Sequence, residues 1–112
     1  MEIKVLFNGV HHHFEKDGLK YIDDITSSVS LLKTDEQLIL IDSGSPIYEK
    51  KLVSALKENS IKPEDINWII VTHLHDDHVG NNHLFKNAKK VEAIRFAGKL
   101  SIWIFRSLTF PL

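Results

Sequence analysis

Two uninterrupted apolar runs, Leu38-Ile39-Leu40-Ile41 and Trp68-Ile69-Ile70-Val71, constrain this chain more than any other feature. Apolar residues at every position, rather than at alternate ones, are expected of strands buried on both faces of a sheet. Each run ends in a polar turn. Asp42-Ser43-Gly44-Ser45-Pro46 follows the first, and Thr72-His73-Leu74-His75-Asp76-Asp77-His78 follows the second. Between the runs, Ser45 is placed to cap a helix with Pro46 at its first position. Ile47, Leu52, Val53, Ala55 and Leu56 then fall on roughly one helical face, to about Glu58. Pro63-Glu64-Asp65 marks the turn into the second run. Strand, helix, strand is the order of a crossover connection, so the chain is predicted to be α/β.

The flanking sequence adds strands and one irregular stretch. Ile3 to Phe7 reads as a strand, closed by an Asn8-Gly9 turn. Residues 10 to 24, with His11-His12-His13 and Lys16-Asp17-Gly18, read as a loop or mobile flap. Ser28 to Leu32 and Gln37 to Ile41 are expected to form a hairpin across Lys33-Thr34-Asp35-Glu36. Gly80 to about Phe85 suits a short helix. Beyond it, residues 96–112 carry Leu100, Ile102, Trp103, Ile104, Phe105, Leu108, Phe110 and Leu112 against only Lys99 and Arg106 as charges. They show neither alternation nor a helical stripe. The expected organisation is therefore one partial domain, residues 1–95, and an apolar tail, residues 96–112. A length of 112 residues allows one domain, and 43% hydrophobic with 26% charged residues is a globular composition.

The chemistry is concentrated in residues 73–78. Three imidazoles and two carboxylates fall within six residues, directly after an apolar strand. With no cysteine in the chain, any metal must be held by imidazole and carboxylate, which suits zinc, iron or manganese. His73 and His75 lie two apart, so in an extended segment they share a face and can grip one ion. Asp77 and His78 follow after a turn and can face a second. Gly80 permits the bend that re-aims the chain. The position, outside the carboxyl end of a strand, is where open α/β sheets place their sites.

Thr72 to Gly80 resembles the HxHxDH signature of the metallo-β-lactamase superfamily. Leu40-Ile41-Asp42-Ser43-Gly44 resembles that family's strand ending in an Asp-x-Gly turn, and the helix and the Pro63-Glu64-Asp65-Ile66 turn fall where the family has them. The likeness covers about residues 29 to 91. With Asn81-Asn82-His83-Leu84-Phe85 it resembles one branch in particular, which implies phosphodiester cleavage in RNA. The resemblance implies the N-terminal half of an αββα sandwich. It implies zinc, two ions per complete site, with His73 and His75 on the first and Asp77 and His78 on the second. Asp77 is also the candidate catalytic carboxylate, and a metal-activated water the nucleophile. Asp42 would stand behind the ligands and orient them; its plainer role is that of a strand-end turn residue. Asp76 sits at the variable position and is not expected to bind metal.

The chain departs from the family pattern further on. The family site needs a later histidine for each metal and a bridging aspartate. After His83 there is no histidine, and Glu92 is the only acid after Asp77. Each metal then has two candidate ligands, where catalytic zinc normally has three. Of His11, His12 and His13, neighbours point to opposite faces of an extended chain, so at most two can reach one ion; an exposed polar loop is the simpler reading. His83 is expected on the surface of the short helix or as its cap. The expectation is a truncated product of a longer gene, with one sheet face left apolar and uncovered unless the tail covers it.

Two functions of different class follow. One is a zinc-dependent hydrolase, an endoribonuclease-like phosphodiesterase by resemblance, either in the full-length lineage or here with a site completed by a partner chain, a second copy or a full-length relative. The other is a non-catalytic fragment that binds metal weakly or associates with a partner. A net charge of -1 supplies no general attraction to nucleic acid or acidic membranes. No run approaches the roughly 18 apolar residues of a membrane span, and Met1-Glu2-Ile3-Lys4 lacks a signal-peptide core. The expected location is the cytoplasm, with the nucleus also open.

Overall fold

The computed structural model describes residues 1–95 and 103–108. Its strands are β1 (Glu2–Phe7), β2 (Val10–Lys16), β3 (Leu19–Thr26), β4 (Val29–Lys33), β5 (Leu38–Ile41), β6 (Trp68–Val71), β7 (Lys89–Arg95) and β8 (Trp103–Ser107). Its α-helices are α1 (Glu49–Glu58) and α2 (Asp76–Val79). Six strands make one mixed sheet in the order β1-β4-β5-β6-β7-β8, and β2 and β3 pair only with each other. The two apolar runs, β5 and β6, are neighbouring parallel strands, as are β6 and β7; the remaining pairs are antiparallel. The α/β prediction therefore holds, with α1 as the crossover from β5 to β6.

Burial alternates along these strands. Leu31, Leu40, Ile69 and Val71 are buried, and Leu52 and Leu56 of α1 pack among them with Val29, Ile61, Ile66, Val79 and Phe85. The opposite face carries Ile3, Val5, Leu32, Ile39, Ile41, Trp68, Ile70 and Val91, none of which is buried. Among the described residues the strands are thus fully packed on one face only, where continuous apolar sequence predicts burial on both. An apolar run reports that both faces avoid water, and it cannot report which face a helix of the same chain covers.

Phe7 reaches the core through a register shift. Ile3 and Val5 lie opposite Leu32 and Ser30 on the uncovered face. A bulge between Val5 and Phe7 then pairs Phe7 with Val29. One extra residue inverts the facing of all that follow. Phe7 consequently drops to 6% exposure, while Ile3 stays 64% exposed. Its ring stacks on Tyr48 at 5.6 Å.

Residues 10–24 are not a loop. They form the β2–β3 hairpin, closed by Asp17 and Gly18, both at positive φ, 54° and 76°. Two consecutive left-handed residues are what a tight hairpin turn needs. The pattern is illegible in the sequence because Asp23 is an extra residue: pairing jumps from His12↔Asp24 to His13↔Ile22. The Asp23 carboxylate is bonded to the ring of His12.

Two further expectations are corrected. The helix predicted from Gly80 begins earlier, at Asp76, with His75 as an extended N-cap and two acidic residues in the first turn, where the helix dipole favours them. A separate 3-10 turn follows at Asn82–Leu84, with His83 exposed on it. At the start of α1, a 3-10 turn at Pro46–Tyr48 rotates Ile47 away from the helical face, leaving it 76% exposed. Ser45 makes no side-chain cap bond there.

Within the predicted tail, Trp103–Ser107 is β8, antiparallel to β7 at the sheet edge, and Leu108 packs partly against the core. Leu100, Ile102, Phe110 and Leu112 lie outside the described residues. Among the described residues, no helix is long and apolar enough to cross a membrane.

Two outcomes are expected. In urea unfolding, Phe7→Ala should cost about 3–5 kcal/mol, and Ile3→Ala less than about 0.5 kcal/mol, because only the first empties a packed site. By NMR titration, Asp23 should ionise below the usual carboxylate range, since hydrogen bonding from His12 favours the charged form. A depressed carboxyl pKa supplies its stability above the ordinary value and loses it as pH falls through the lowered one. His12→Ala should return Asp23 to the ordinary range.

Candidate metal centre

The site is assembled where β5 and β6 end side by side. At the end of β5, Asp42 adopts a left-handed backbone, φ 60°, a region that aspartate enters more readily than most residues. That turn directs its main-chain N–H to the carbonyl of Ile70, 2.9 Å away on β6. It also buries the side chain, only 4% of Asp42 remaining exposed.

The buried carboxylate is fully engaged. Oδ1 accepts from the main-chain N–H of Thr72 at 2.8 Å, and Oδ2 accepts from Thr72 Oγ1. His78 Nδ1 lies 2.9 Å from Oδ2. An ionised carboxylate only accepts, so His78 carries its proton on Nδ1 and leaves Nε2 as the free nitrogen. This is the arrangement by which a carboxylate fixes the tautomer of a metal-binding imidazole. The Nε2 atom is 3.6 Å from Asp77 Oδ2.

The other imidazoles gather around it. The ring of His73 is 4.6 Å from that of His78 and 6.4 Å from that of His75. His73 and His75 are exposed, whereas Asp77 and His78 are half-buried. The shared face expected of His73 and His75 is present, and His78 comes closer to His73 than His75 does. Asp76 is exposed on the first turn of α2.

A second polar network, which the sequence did not reveal, lashes the two loops together. Ser43 Oγ donates to Asn82 Oδ1 at 2.7 Å and accepts from the Asn81 N–H at 3.1 Å. Asn81 Nδ2 donates to the carbonyls of Ser43 and Ser45, both at 2.9 Å. The Ser27 N–H reaches the carbonyl of Asp77, and the Gly80 N–H that of Gly44. Gly80 itself has an ordinary helical φ of −57°. Its lack of a side chain serves close approach, since a Cβ would stand 2.4 Å from Pro46 Cδ. The sequence signal for this network is the pair Asn81-Asn82 together with a Ser-Gly-Ser turn, too short to assign partners.

Imidazole and carboxylate at this spacing suit a zinc-type ion in kind. They fall short in number: among the described residues, no group of three or more His, Asp or Glu side chains is placed to hold one ion. The donors present fit such an ion in kind and not in number.

A mixed sheet of this order, with a histidine cluster at the carboxyl ends of its parallel strands, is an α/β fold with a candidate site at that end of the sheet. The family model for the metallo-beta-lactamase superfamily matches residues 22–109, and the chain belongs to that superfamily. The match extends beyond residues 29 to 91, where the motif resemblance is legible. Among curated relatives, metallo-beta-lactamase domain-containing protein 1 of Mus musculus is 37% identical over 71 residues, covering 63% of this chain and 27% of that protein. An N-acyl homoserine lactonase of Bacillus cereus is 35% identical over 80 residues, covering 51% and 32%. A solved metallo-beta-lactamase-type structure from Thermotoga maritima superposes with a TM-score of 0.68 at 33% identity, covering 80% of this chain and 42% of that one. The chain spans about a quarter to a third of the length of these curated relatives.

Asp42→Asn should lower stability by about 1–3 kcal/mol, because a buried acceptor is lost. Nitrogen-detected NMR should show His78 shifting away from the Nδ1–H tautomer. An unchanged tautomer would show that Asp42 does not orient the ring.

Proposed function

We propose that this chain carries the metal-holding side of a metal-dependent hydrolase site, and that zinc is the ion it takes. His73 and His75 would hold one ion, and Asp77 and His78 a second where the site is complete; iron or manganese would suit the same donors. The observation that carries this reading is the 2.9 Å contact of His78 Nδ1 with buried Asp42, which leaves Nε2 on the side of Asp77. Zinc held there would supply a Lewis acid at the reacting centre. Asp42 keeps His78 in one tautomer, and Thr72 fixes Asp42 in turn. Asp77, half-buried beside Nε2, is the carboxylate nearest the reacting position and the candidate catalytic residue. The missing donors would come from a second copy or from a longer relative, seated against the uncovered sheet face. A phosphodiester in RNA would be the substrate that the motif resemblance of residues 72–85 implies. A cytoplasmic or nuclear setting would suit it.

The absence of a three-donor group among the described residues favours a second reading, a fragment that binds metal weakly and has no catalysis of its own. Native mass spectrometry of the chain made in zinc-supplemented medium separates the two. Two zincs per chain in a dimer or larger assembly, with zinc-dependent cleavage of a short single-stranded RNA abolished by a chelator, are expected for the hydrolase. A metal-free monomer supports the fragment. Where the chain holds zinc, His75→Ala, at an exposed position, should lower the zinc content without unfolding. Unchanged zinc content would overturn the ligand assignment.

A further inference from the structure

The hairpin holds three consecutive histidines, and its geometry separates them. The extra residue at the bulge, Asp23, belongs to β3, so β2 runs on without interruption. His11 and His13 therefore stay on one face of the strand, opposite Ile25 and Ile22. Their ring centroids are 5.6 Å apart. His12 points to the other face, where its Nδ1 is bonded to the carboxylate of Asp23.

We infer that His11 and His13 form a separate site for one divalent transition-metal ion of the imidazole-preferring class, with His12 taking no part. A zinc–nitrogen bond is about 2 Å long, which sets two imidazoles sharing one tetrahedral ion with their ring centres roughly 5 Å apart. The observed 5.6 Å approaches that spacing and lies between the 4.6 Å and 6.4 Å separations within the His73, His75 and His78 cluster. Both rings are exposed, so small rotations can turn their nitrogens to a common point without disturbing packing. Zinc, copper and nickel prefer such nitrogen donors over the oxygen-rich sites that calcium and magnesium require. Two protein donors leave the other positions to water, so the ion exchanges readily. An ion that binds the paired hairpin more tightly than the unfolded one stabilises the hairpin by mass action. Neither donor is among the ligands assigned to the hydrolase centre.

Zinc(II) titration by calorimetry tests it on the full chain bearing His73→Ala, His75→Ala and His78→Ala, with folding checked by circular dichroism. That chain is expected to bind one zinc. Adding His11→Ala or His13→Ala should weaken binding by about tenfold or more, as loss of one of two donors requires. Adding His12→Ala should change it by less than about twofold, since His12 faces away. Equal weakening by all three substitutions would mean an unstructured histidine tract and would overturn the proposal. So would a folded chain that binds no zinc. In the otherwise native chain, zinc should shift the ring resonances of His11 and His13 while leaving those of His12 in place. Shifts confined to His73, His75 and His78 would count against the site.

Discussion

The hydrogen bonds that converge on the Asp42 carboxylate hold the candidate centre in shape. One oxygen takes the Thr72 N–H, and the other takes Thr72 Oγ1 and His78 Nδ1. Buried carboxylates are costly unless every lone pair facing the interior is used. Here the cost of burial is offset by three donors, all from the segment that follows β6. The same bonds that make Asp42 tolerable in the interior therefore set the distance between the end of β5 and the start of α2. Without them, His78 would have no reason to prefer one tautomer.

The backbone is arranged to deliver that carboxylate. Asp42 sits at positive φ, and Gly44 two residues on does also, at 77°. A Cβ on Gly44 would lie 3.0 Å from Thr26 Oγ1 and 3.1 Å from the Phe7 ring. The turn is thus wedged between the core and the Thr26 hydroxyl, which itself accepts the Ser45 N–H at 2.9 Å. Phe7 reaches this position only through the β1 bulge, so the register of an outer strand bears on the shape of the site. Ser43, Asn81 and Asn82 complete the linkage from the opposite side. The exposed His73 and His75 are carried by a segment tethered at both ends.

One face of the sheet is packed and the other is not, and this asymmetry links fold to function. The helix-covered face contains Leu31, Leu40, Ile69 and Val71 together with Leu52 and Leu56. The other face offers Ile39, Ile41, Trp68 and Ile70 without burying them. Apolar surface of that extent favours a second layer. A second layer would also be the source of the donors that the histidine cluster lacks, so coverage of the sheet and completion of the metal centre become the same event in the proposed function.

The sequence by itself determined the crossover of β5, α1 and β6, because continuous apolar runs bounded by Asp42-Ser43-Gly44 and by the histidine segment leave few alternatives. It also singled out the residues proposed to carry the chemistry, since imidazoles and carboxylates crowded together directly after an apolar strand are donors that a metal needs and a solvated turn does not. Local pattern could not show that residues 10–24 pair as a hairpin, for the unpaired Asp23 breaks the alternation by which strands are read. Nor could it show that Ser43, Asn81 and Asn82 meet, because those contacts span 38 and 39 residues. Tertiary structure decided these points. It brought two distant turns to one sheet edge, where a single buried carboxylate selects the free nitrogen of His78, and it turned His11 and His13 together while sending His12 the other way.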